Sequence, residues 1–275
     1  MLSVSSVAMM KAASLPVLVM LVATTTVSAT REDLARARIL YNEGKFDAAI
    51  EASMAAQRTP ATADAAAVVL ARALLERYRQ RADPSDLSAA RSALGSVRAV
   101  SLDAQDSNDL LMALGEALFF EDDYGAAAQM FASALEGARF LGPEAGDAML
   151  DWWGSAVERH ADALVKDLRR SALERLRDRM SAELARNPGS APAAYWVVVG
   201  TRGAGDPKAA WDAAIAGWVR ARLAGGGSAS LRADLDKLVL EGIIPDRVRS
   251  VPSERRDQAE TDLRIEWALV KERWK

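Results

Sequence analysis

The sequence predicts an all-α protein, and two observations carry that prediction. Alanine makes up about a fifth of the 275 residues, whereas Val, Ile and Thr are sparse after position 29. The first bias favours helices and the second disfavours strands. Segments with helical periodicity alternate along the chain with short stretches rich in Gly, Pro, Asp and Ser. We therefore expect helices joined by short turns.

Residues 1–29 have the pattern of a secretory signal peptide. Lys11 precedes an apolar run, and the segment ends in small residues that include Val27 and Ala29. The apolar run is about a dozen residues long, which is shorter than the roughly 20 residues that span a bilayer. We predict cleavage after Ala29 and a periplasmic or secreted mature chain without a membrane span. An uncleaved N-terminal anchor is the alternative.

The first predicted helix pair covers residues 34–56. A turn around Gly44 separates its two helical segments. The small residues Ala37 and Ala49 lie 12 positions apart, one on each segment. Small side chains at this spacing allow the two helices to approach each other closely.

Two Asp-Pro steps mark where further helices begin. In Asp83-Pro84 and in Asp206-Pro207, the carboxylate has the position of an N-cap and the proline that of the first helical residue. Proline is tolerated there because the first N–H groups of a helix have no partner within it. The first of these steps lies in a second predicted pair, residues 62–99.

Residues 110–138 form the third predicted pair, and Gly115 lies inside its first helical segment. A glycine in a helix costs about 1 kcal/mol relative to alanine. A close approach of the second segment would offset that cost. Ala127 follows 12 positions later, and Phe131 continues the same helix face. The third pair therefore repeats the small-residue spacing of the first.

The fifth predicted pair, residues 193–223, keeps the same step of 12 positions between Val198 and Ala210. The interval between the third pair and the fifth leaves room for a fourth pair over residues 144–187. We therefore expect about five helix pairs within a repeat region that covers residues 30–224.

Residues 225–275 are predicted to form C-terminal capping helices. After a glycine-rich joint, one segment carries a leucine stripe and is expected to end at Gly242, before Pro245. An array of helix pairs needs its last member covered by an amphipathic helix with a polar outer face, and this region has that form. The apolar stripes consist of Leu231, Leu235 and Leu238 in one segment and of Leu263, Trp267, Val270 and Trp274 in the next.

The third pair closely resembles a tetratricopeptide repeat. Leu111 stands where this family usually has tryptophan, and Gly115 and Ala127 occupy its two small positions. The first and fifth pairs carry weaker copies, and the units of about 40 residues exceed the usual 34 of the family. The resemblance implies a right-handed α-solenoid of about five tetratricopeptide-like hairpins with a C-terminal capping helix. A closed helical bundle is the competing architecture.

The resemblance also implies a function, because stacked hairpins form a concave surface from the first helix of each pair. We expect an exported, non-enzymatic scaffold that binds a peptide or protein partner on that surface and needs no cofactor or metal. By their register with Gly115, the candidate partner-binding residues are Arg38, Asn42, Met112, Glu116, Phe120, Tyr195 and Arg202.

The composition leaves few other functions. The chain has no cysteine and a single histidine, His160, so no zinc cluster forms at the usual spacings, and no nucleophile motif accompanies the histidine. A net charge of −3 without a basic tract disfavours nucleic-acid binding. All 7 tryptophans lie in the second half. A glycan- or envelope-associated binding module is therefore the alternative function, and core packing is the other interpretation of Trp211 and Trp218.

Overall fold

A computed structural model describes residues 32–137 and 143–275 of the chain. In these residues the chain forms helices and turns and no strand, which confirms the all-α prediction. The predicted signal peptide and its cleavage site lie outside the described residues. The chain divides into two compact units, one that ends at Leu102 and one that runs from Asp103 to Lys275.

The first unit contains, over its described residues, the helices α1 (32–42), α2 (Phe46–Ala56), α3 (Ala63–Arg81) and α4 (Pro84–Gly95), and then a 3₁₀ turn at Ala99–Ser101. Helix α2 packs against α3, and α3 packs against α4. Leu34 and Ala37 of α1 belong to a small apolar cluster that also includes Ala56 of α2 and Val69 of α3. The first two predicted helix pairs thus coincide in range with α1–α2 and α3–α4.

Arg77 of α3 ties two neighbouring helices of this unit together. Its Nε and Nη2 donate to Asp86 on α4 at 2.9 and 2.5 Å, and its Nη1 donates to Asp47 on α2 at 2.8 Å. These hydrogen bonds raise the pKa of the guanidinium further above its usual range. Helix α4 begins as the sequence predicts: the Asp83 carboxylate accepts a backbone N–H at 2.9 Å, and Pro84 is the first residue.

The second unit contains, over its described residues, the helices α5 (Ala104–Phe120), α6 (Tyr124–Gly137), α7 (Pro143–Asp162), α8 (Lys166–Arg186), α9 (Ala191–Gly203), α10 (Pro207–Arg220), α11 (Ser228–Leu238), α12 (Ile244–Arg249) and α13 (Arg256–Arg273). Each helix from α5 to α9 packs against the one that follows it, and α9 also packs against α7 and α11. The remaining predicted pairs coincide in range with α5–α6, α7–α8 and α9–α10. None of the helices in the described residues is long and apolar enough to cross a membrane.

Gly115 lies at a close approach between α5 and α6, as the sequence predicts. A Cβ atom built on Gly115 would lie 2.5, 2.7 and 2.9 Å from three ring atoms of Phe131. Atoms of different residues do not pack at such distances, so the ring occupies the space that any side chain at this position would need. Phe131 and Ala127, on the facing side of α6, are fully buried.

The tryptophans of the C-terminal half belong largely to the core. Trp267 of α13 is 1% exposed and meets the rings of Trp211 and Trp218 at centroid distances of 5.8 and 5.5 Å. Its Nε1 donates to Asp236 at 2.7 Å. The core interpretation of Trp211 and Trp218 is therefore confirmed. Trp274, which the sequence places on the same stripe as Trp267, remains 38% exposed.

Helix α11 does not end at Gly242, and that prediction is wrong. A π turn over Val239–Ile243 joins α11 to α12, so the helical backbone continues through Pro245. Proline has no N–H to donate and its ring needs room on the preceding turn, which a wider π turn provides. The Arg202 guanidinium packs against this turn, where a Cβ atom on Gly242 would lie 2.8 Å from it.

Candidate functional site

The predicted partner-binding residues of the second unit do not share one open surface. Arg38 and Asn42 belong to the first unit, where Arg38 is half-buried and Asn42 is exposed. In the second unit, Met112 and Glu116 are each only 2% exposed. These two side chains of α5 therefore offer almost no surface to a partner. Phe120, at the end of the same helix, is half-buried and meets the Trp152 ring edge to face at 5.9 Å.

Arg202 is held within the fold. Its Nε donates to Asp246 of α12 at 2.6 Å, and the same carboxylate pairs with Arg249 at 2.6 Å. The guanidinium also lies against the π turn at Gly242. Arg202 therefore joins α9 to the helix that follows α11. A partner could use its charge only in competition with that ion pair.

Tyr195 lines a groove of about 600 Å³ in the second unit. Helix α7, the N-terminal half of α9 and the first turns of α11 form its walls, and Phe119 of α5 lies at its edge. Four carboxylates line this space, namely Asp147, Asp151, Glu158 and Asp234. We call it the acidic groove. It brings together residues from segments that are far apart in the sequence.

The acidic groove follows from the helical periodicity of α7. Asp147, Asp151 and Glu158 are spaced by four and seven residues, so they lie on one face of the helix. Met149 and Trp153, on another face, are buried in the core of the second unit. The amphipathic pattern therefore turns one side of α7 into the core and leaves a row of carboxylates facing the groove.

Gly154 sets the distance between α7 and α9. A Cβ atom on Gly154 would lie 2.5 Å from two atoms of the Trp196 indole, so the indole lies directly on the α7 backbone. From there the Nε1 of Trp196 donates to Asp151 at 2.9 Å. The glycine thus permits a hydrogen bond that orients a groove carboxylate.

Asp147 is oriented in a similar way by Ser190. Ser190 is the N-cap of α9, and its Oγ accepts from the Ala193 N–H at 3.3 Å and donates to Asp147 at 2.5 Å. Both donors are buried, with Ser190 1% and Trp196 3% exposed. Because a hydroxyl and an indole N–H carry no net charge, they hold the carboxylates in place without neutralising them.

No ion pair within the described residues joins any of the four groove carboxylates to a lysine or arginine. The one cationic side chain in the lining is Arg159, which is exposed and faces the Tyr124 ring at 6.0 Å. Other carboxylates of the chain, such as Asp47 and Asp86, are paired with arginine. The groove therefore concentrates negative charge, which Arg159, Arg202 and Arg169 offset in part at Glu158 without forming an ion pair.

The environment of the groove disfavours ionisation of its carboxyl groups. Burial raises the pKa of the Asp147, Asp151 and Glu158 carboxyls. The hydrogen bonds from Ser190 to Asp147 and from Trp196 to Asp151 act in the opposite direction, as do the charges of Arg159, Arg202 and Arg169 on Glu158. Asp151 has an accessible side chain, and its pKa rises because protein atoms crowd around it in the concavity. Burial, with the neighbouring carboxylates, raises the pKa of Tyr195 to about 12. Tyr195 is therefore a neutral hydroxyl at physiological pH.

His160 lies outside this lining and serves packing. Its side chain is exposed, and its ring atoms lie 3.0 Å from where a Cβ atom on Gly125 of α6 would be. The histidine therefore covers part of the contact between α7 and α6. Within the described ranges, no group of three or more His, Cys, Asp or Glu side chains is placed to hold a metal ion.

Comparison with known proteins does not identify this site: no family model matches the sequence, and no curated protein matches it. The site is therefore argued from its own geometry. Of the seven residues that the sequence placed at a partner surface, Tyr195 is the one in the lining of the acidic groove. The four carboxylates were missed, although the spacing of the three on α7 was visible in the sequence.

Proposed function

We propose that the protein is an exported, non-enzymatic scaffold that binds a peptide or protein partner on the surface formed by the first helices of a right-handed, tetratricopeptide-like array. The packing of α5 to α10 supports this proposal, since each helix contacts its successor and α9 contacts both α7 and α11. Contacts between neighbouring and alternate helices are typical of solenoids built from helix hairpins. The signal-peptide pattern of residues 1–29 supports export.

The observation that carries the proposal is the position of the acidic groove. Its walls come from α7, α9 and α11, with Phe119 of α5 at the edge. In the proposed pairing, α5, α7 and α9 are the first helices of consecutive hairpins, and the resemblance assigns partner binding to that side. The groove combines aromatic rings with charged side chains, which is a common composition for binding sites.

The test uses the chain from Thr30 onwards, immobilised and exposed to a cell-envelope extract, with cross-linking to locate any partner. We expect cross-links to peptides of α7, α9 and α11, and we expect Tyr195→Ala to weaken capture. Glu266→Gln, an exposed position on α13, serves as the matched control. Cross-links that map to the second helices α8 and α10, with capture unaffected by Tyr195→Ala, would contradict the proposed binding surface.

The alternative function, a glycan- or envelope-associated module that uses the tryptophan-rich half, has less support. Sugar-binding platforms present the faces of exposed aromatic rings, whereas Trp196, Trp211, Trp218 and Trp267 are buried. Trp274 retains an exposed ring. Quenching of tryptophan fluorescence by soluble glycans, removed by Trp274→Ala, would favour this alternative over the scaffold.

A further inference from the structure

We propose that the acidic groove selects a basic segment of its partner, one that presents arginine or lysine side chains in an extended conformation. This inference rests on the proposed function, because it names the chemistry of the partner at the same surface. Three features of the groove carry it, namely its excess of carboxylates over cationic side chains, the way in which its carboxylates are held, and its size and aromatic walls.

The negative charge of the groove favours a cationic ligand. Asp147, Asp151, Glu158 and Asp234 line it together with one cation, Arg159. The four carboxylates have no ion-pair partner in the part of the chain that the structure describes. A cationic side chain that enters such a site gains attraction in a medium that screens charge less than water does. An anionic segment would meet repulsion in the same space.

The carboxylates are arranged before any ligand arrives. Ser190 and Trp196 are almost fully buried donors on α9, and they fix Asp147 and Asp151 on α7 through hydrogen bonds of 2.5 and 2.9 Å. The close contact at Gly154 holds the two helices in that register. A site with fixed carboxylates loses little conformational entropy when it binds. Because both donors are neutral, the charge of the carboxylates remains available to the occupant.

The dimensions of the groove suit side chains with long aliphatic stems. Its volume of about 600 Å³ falls within the range of roughly 300–1,000 Å³ that is typical of ligand pockets. Phe119 and Tyr195 are half-buried and contribute ring surface to the lining. Arginine and lysine pack their methylene groups on such surfaces, and their cationic ends are attracted to aromatic faces. A peptide that alternates basic and small residues can therefore use the walls and the carboxylates together.

The experiment compares two short, fluorescently labelled peptides that are identical except for charge. One carries arginine at alternate positions with glycine and serine between, and the other carries citrulline, which has nearly the same shape as arginine and no charge. Fluorescence anisotropy with the full mature chain should show at least about tenfold tighter binding of the arginine peptide at low ionic strength, and a smaller difference at about 0.15 M salt. Equal binding of both peptides would overturn the inference.

Variants of charged residues inside and outside the groove test where the arginine peptide binds. Asp151→Asn with Glu158→Gln removes two groove charges and should lower the affinity for the arginine peptide by about tenfold. Glu51→Gln with Glu266→Gln removes the same net charge at exposed positions of α2 and α13 and should leave binding unchanged. Equal losses in the two double variants would mean that only the net charge of the protein attracts the peptide, and this too would overturn the inference.

Two further outcomes separate this inference from the proposed function. If the arginine and citrulline peptides bind equally and Tyr195→Ala weakens both, the groove remains the partner site and its charge selectivity is refuted. If neither peptide binds, the basic-segment assignment fails, and the scaffold function is then judged by the cross-linking experiment alone.

Spermidine is the probe for a free polyamine. Displacement of the peptide by spermidine at equal concentration would reassign the groove to small cations and overturn the peptide assignment.

Discussion

At the scale of single residues, two glycines set the distances between helices in the second unit. Gly115 accepts the Phe131 ring of α6 and Gly154 accepts the Trp196 indole of α9, each at a distance that leaves no room for a Cβ atom. Glycine lowers the stability of an isolated helix. Here the burial of a large aromatic ring against the helix backbone offsets that cost. The effect of replacing a helical glycine therefore depends on what lies opposite it.

Gly115→Ala should destabilise the protein by roughly 1–3 kcal/mol, because the added methyl group overlaps the Phe131 ring. Gly146→Ala is the matched control, since that glycine lies within α7 and a Cβ atom there would meet nothing within 4 Å. Alanine at position 146 should be neutral or stabilise by up to about 1 kcal/mol. Urea denaturation of both variants measures the difference. A Gly115→Ala variant as stable as Gly146→Ala would contradict the packing assignment.

The groove carboxyls should make stability depend on pH in an unusual direction. A carboxyl whose pKa is raised in the folded state favours the protonated form there, so its contribution to stability is complete at low pH and is lost as pH rises through the raised pKa. For Asp151 and Glu158 this window begins above their ordinary values of 3.8 and 4.5. The amide variants Asp151→Asn and Glu158→Gln, which cannot ionise, escape that loss.

Denaturation of the wild type and of the Asp151→Asn, Glu158→Gln double variant across the acidic to neutral range tests this. We expect the two unfolding free energies to converge at the acidic end, below both ordinary pKa values, and the variant to become the more stable protein towards neutral pH. Glu51→Gln provides the comparison for loss of a carboxylate outside the groove. A wild type that stays more stable than the double variant at neutral pH would show that the groove favours the ionised carboxyls.

At the scale of helices, Ser190 at the start of α9 has two structural roles. Ser190 caps the helix through its contact with the Ala193 N–H, and the same hydroxyl donates to Asp147 on α7. Helix capping and the orientation of a groove carboxylate therefore depend on one side chain. The first turns of α9 also contribute Tyr195 and Trp196 to the groove lining. A well-defined start of α9 is thus a condition for the geometry of the site.

Ser190→Ala should destabilise the protein by about 1 kcal/mol, since it removes an N-cap. Ser181→Ala, at an exposed position inside α8, is the control and should be neutral or slightly stabilising because alanine is the better helix former. Thermal melts followed by circular dichroism compare the two. Equal melting temperatures for both variants would mean that the hydroxyl of Ser190 contributes nothing as a cap.

At the scale of the whole molecule, the helices could be predicted from the sequence and the groove could not. Asp83-Pro84 and Asp206-Pro207 are local signals, and each precedes a helix in the structure. The contact between Gly115 and Phe131 could be predicted because both residues lie within one hairpin. The acidic groove joins Asp147 to Asp234, and side chains that far apart in the sequence meet only after the helices pack. The continuation of the helix through Pro245 was missed because a π turn has no clear sequence signal.

Export is a property of the whole molecule that the sequence alone predicts. If residues 1–29 act as a signal peptide, the mature protein should begin at Thr30 and be recovered from the periplasm or the medium. N-terminal sequencing of the purified protein measures this directly. Recovery of the protein in the membrane fraction with its first 29 residues intact would instead identify the segment as an anchor.

The π turn between α11 and α12 makes this region tolerant of losing a residue, which a regular helix is not. Glu241 is exposed within the turn, so Glu241→Ala should change the melting temperature little. Because a π turn holds one residue more than an α-helical turn, deletion of Glu241 would leave an ordinary helical turn, and the helix beyond it would rotate little. Ile244 and Val248 would then keep their places in the core that they share with Trp267. Deletion of Asp262, an exposed residue in the regular helix α13, would instead rotate Trp267 by about 100° around the helix axis. Thermal melts should therefore show a much smaller loss of stability for the first deletion than for the second, and equal losses would contradict this role of the π turn.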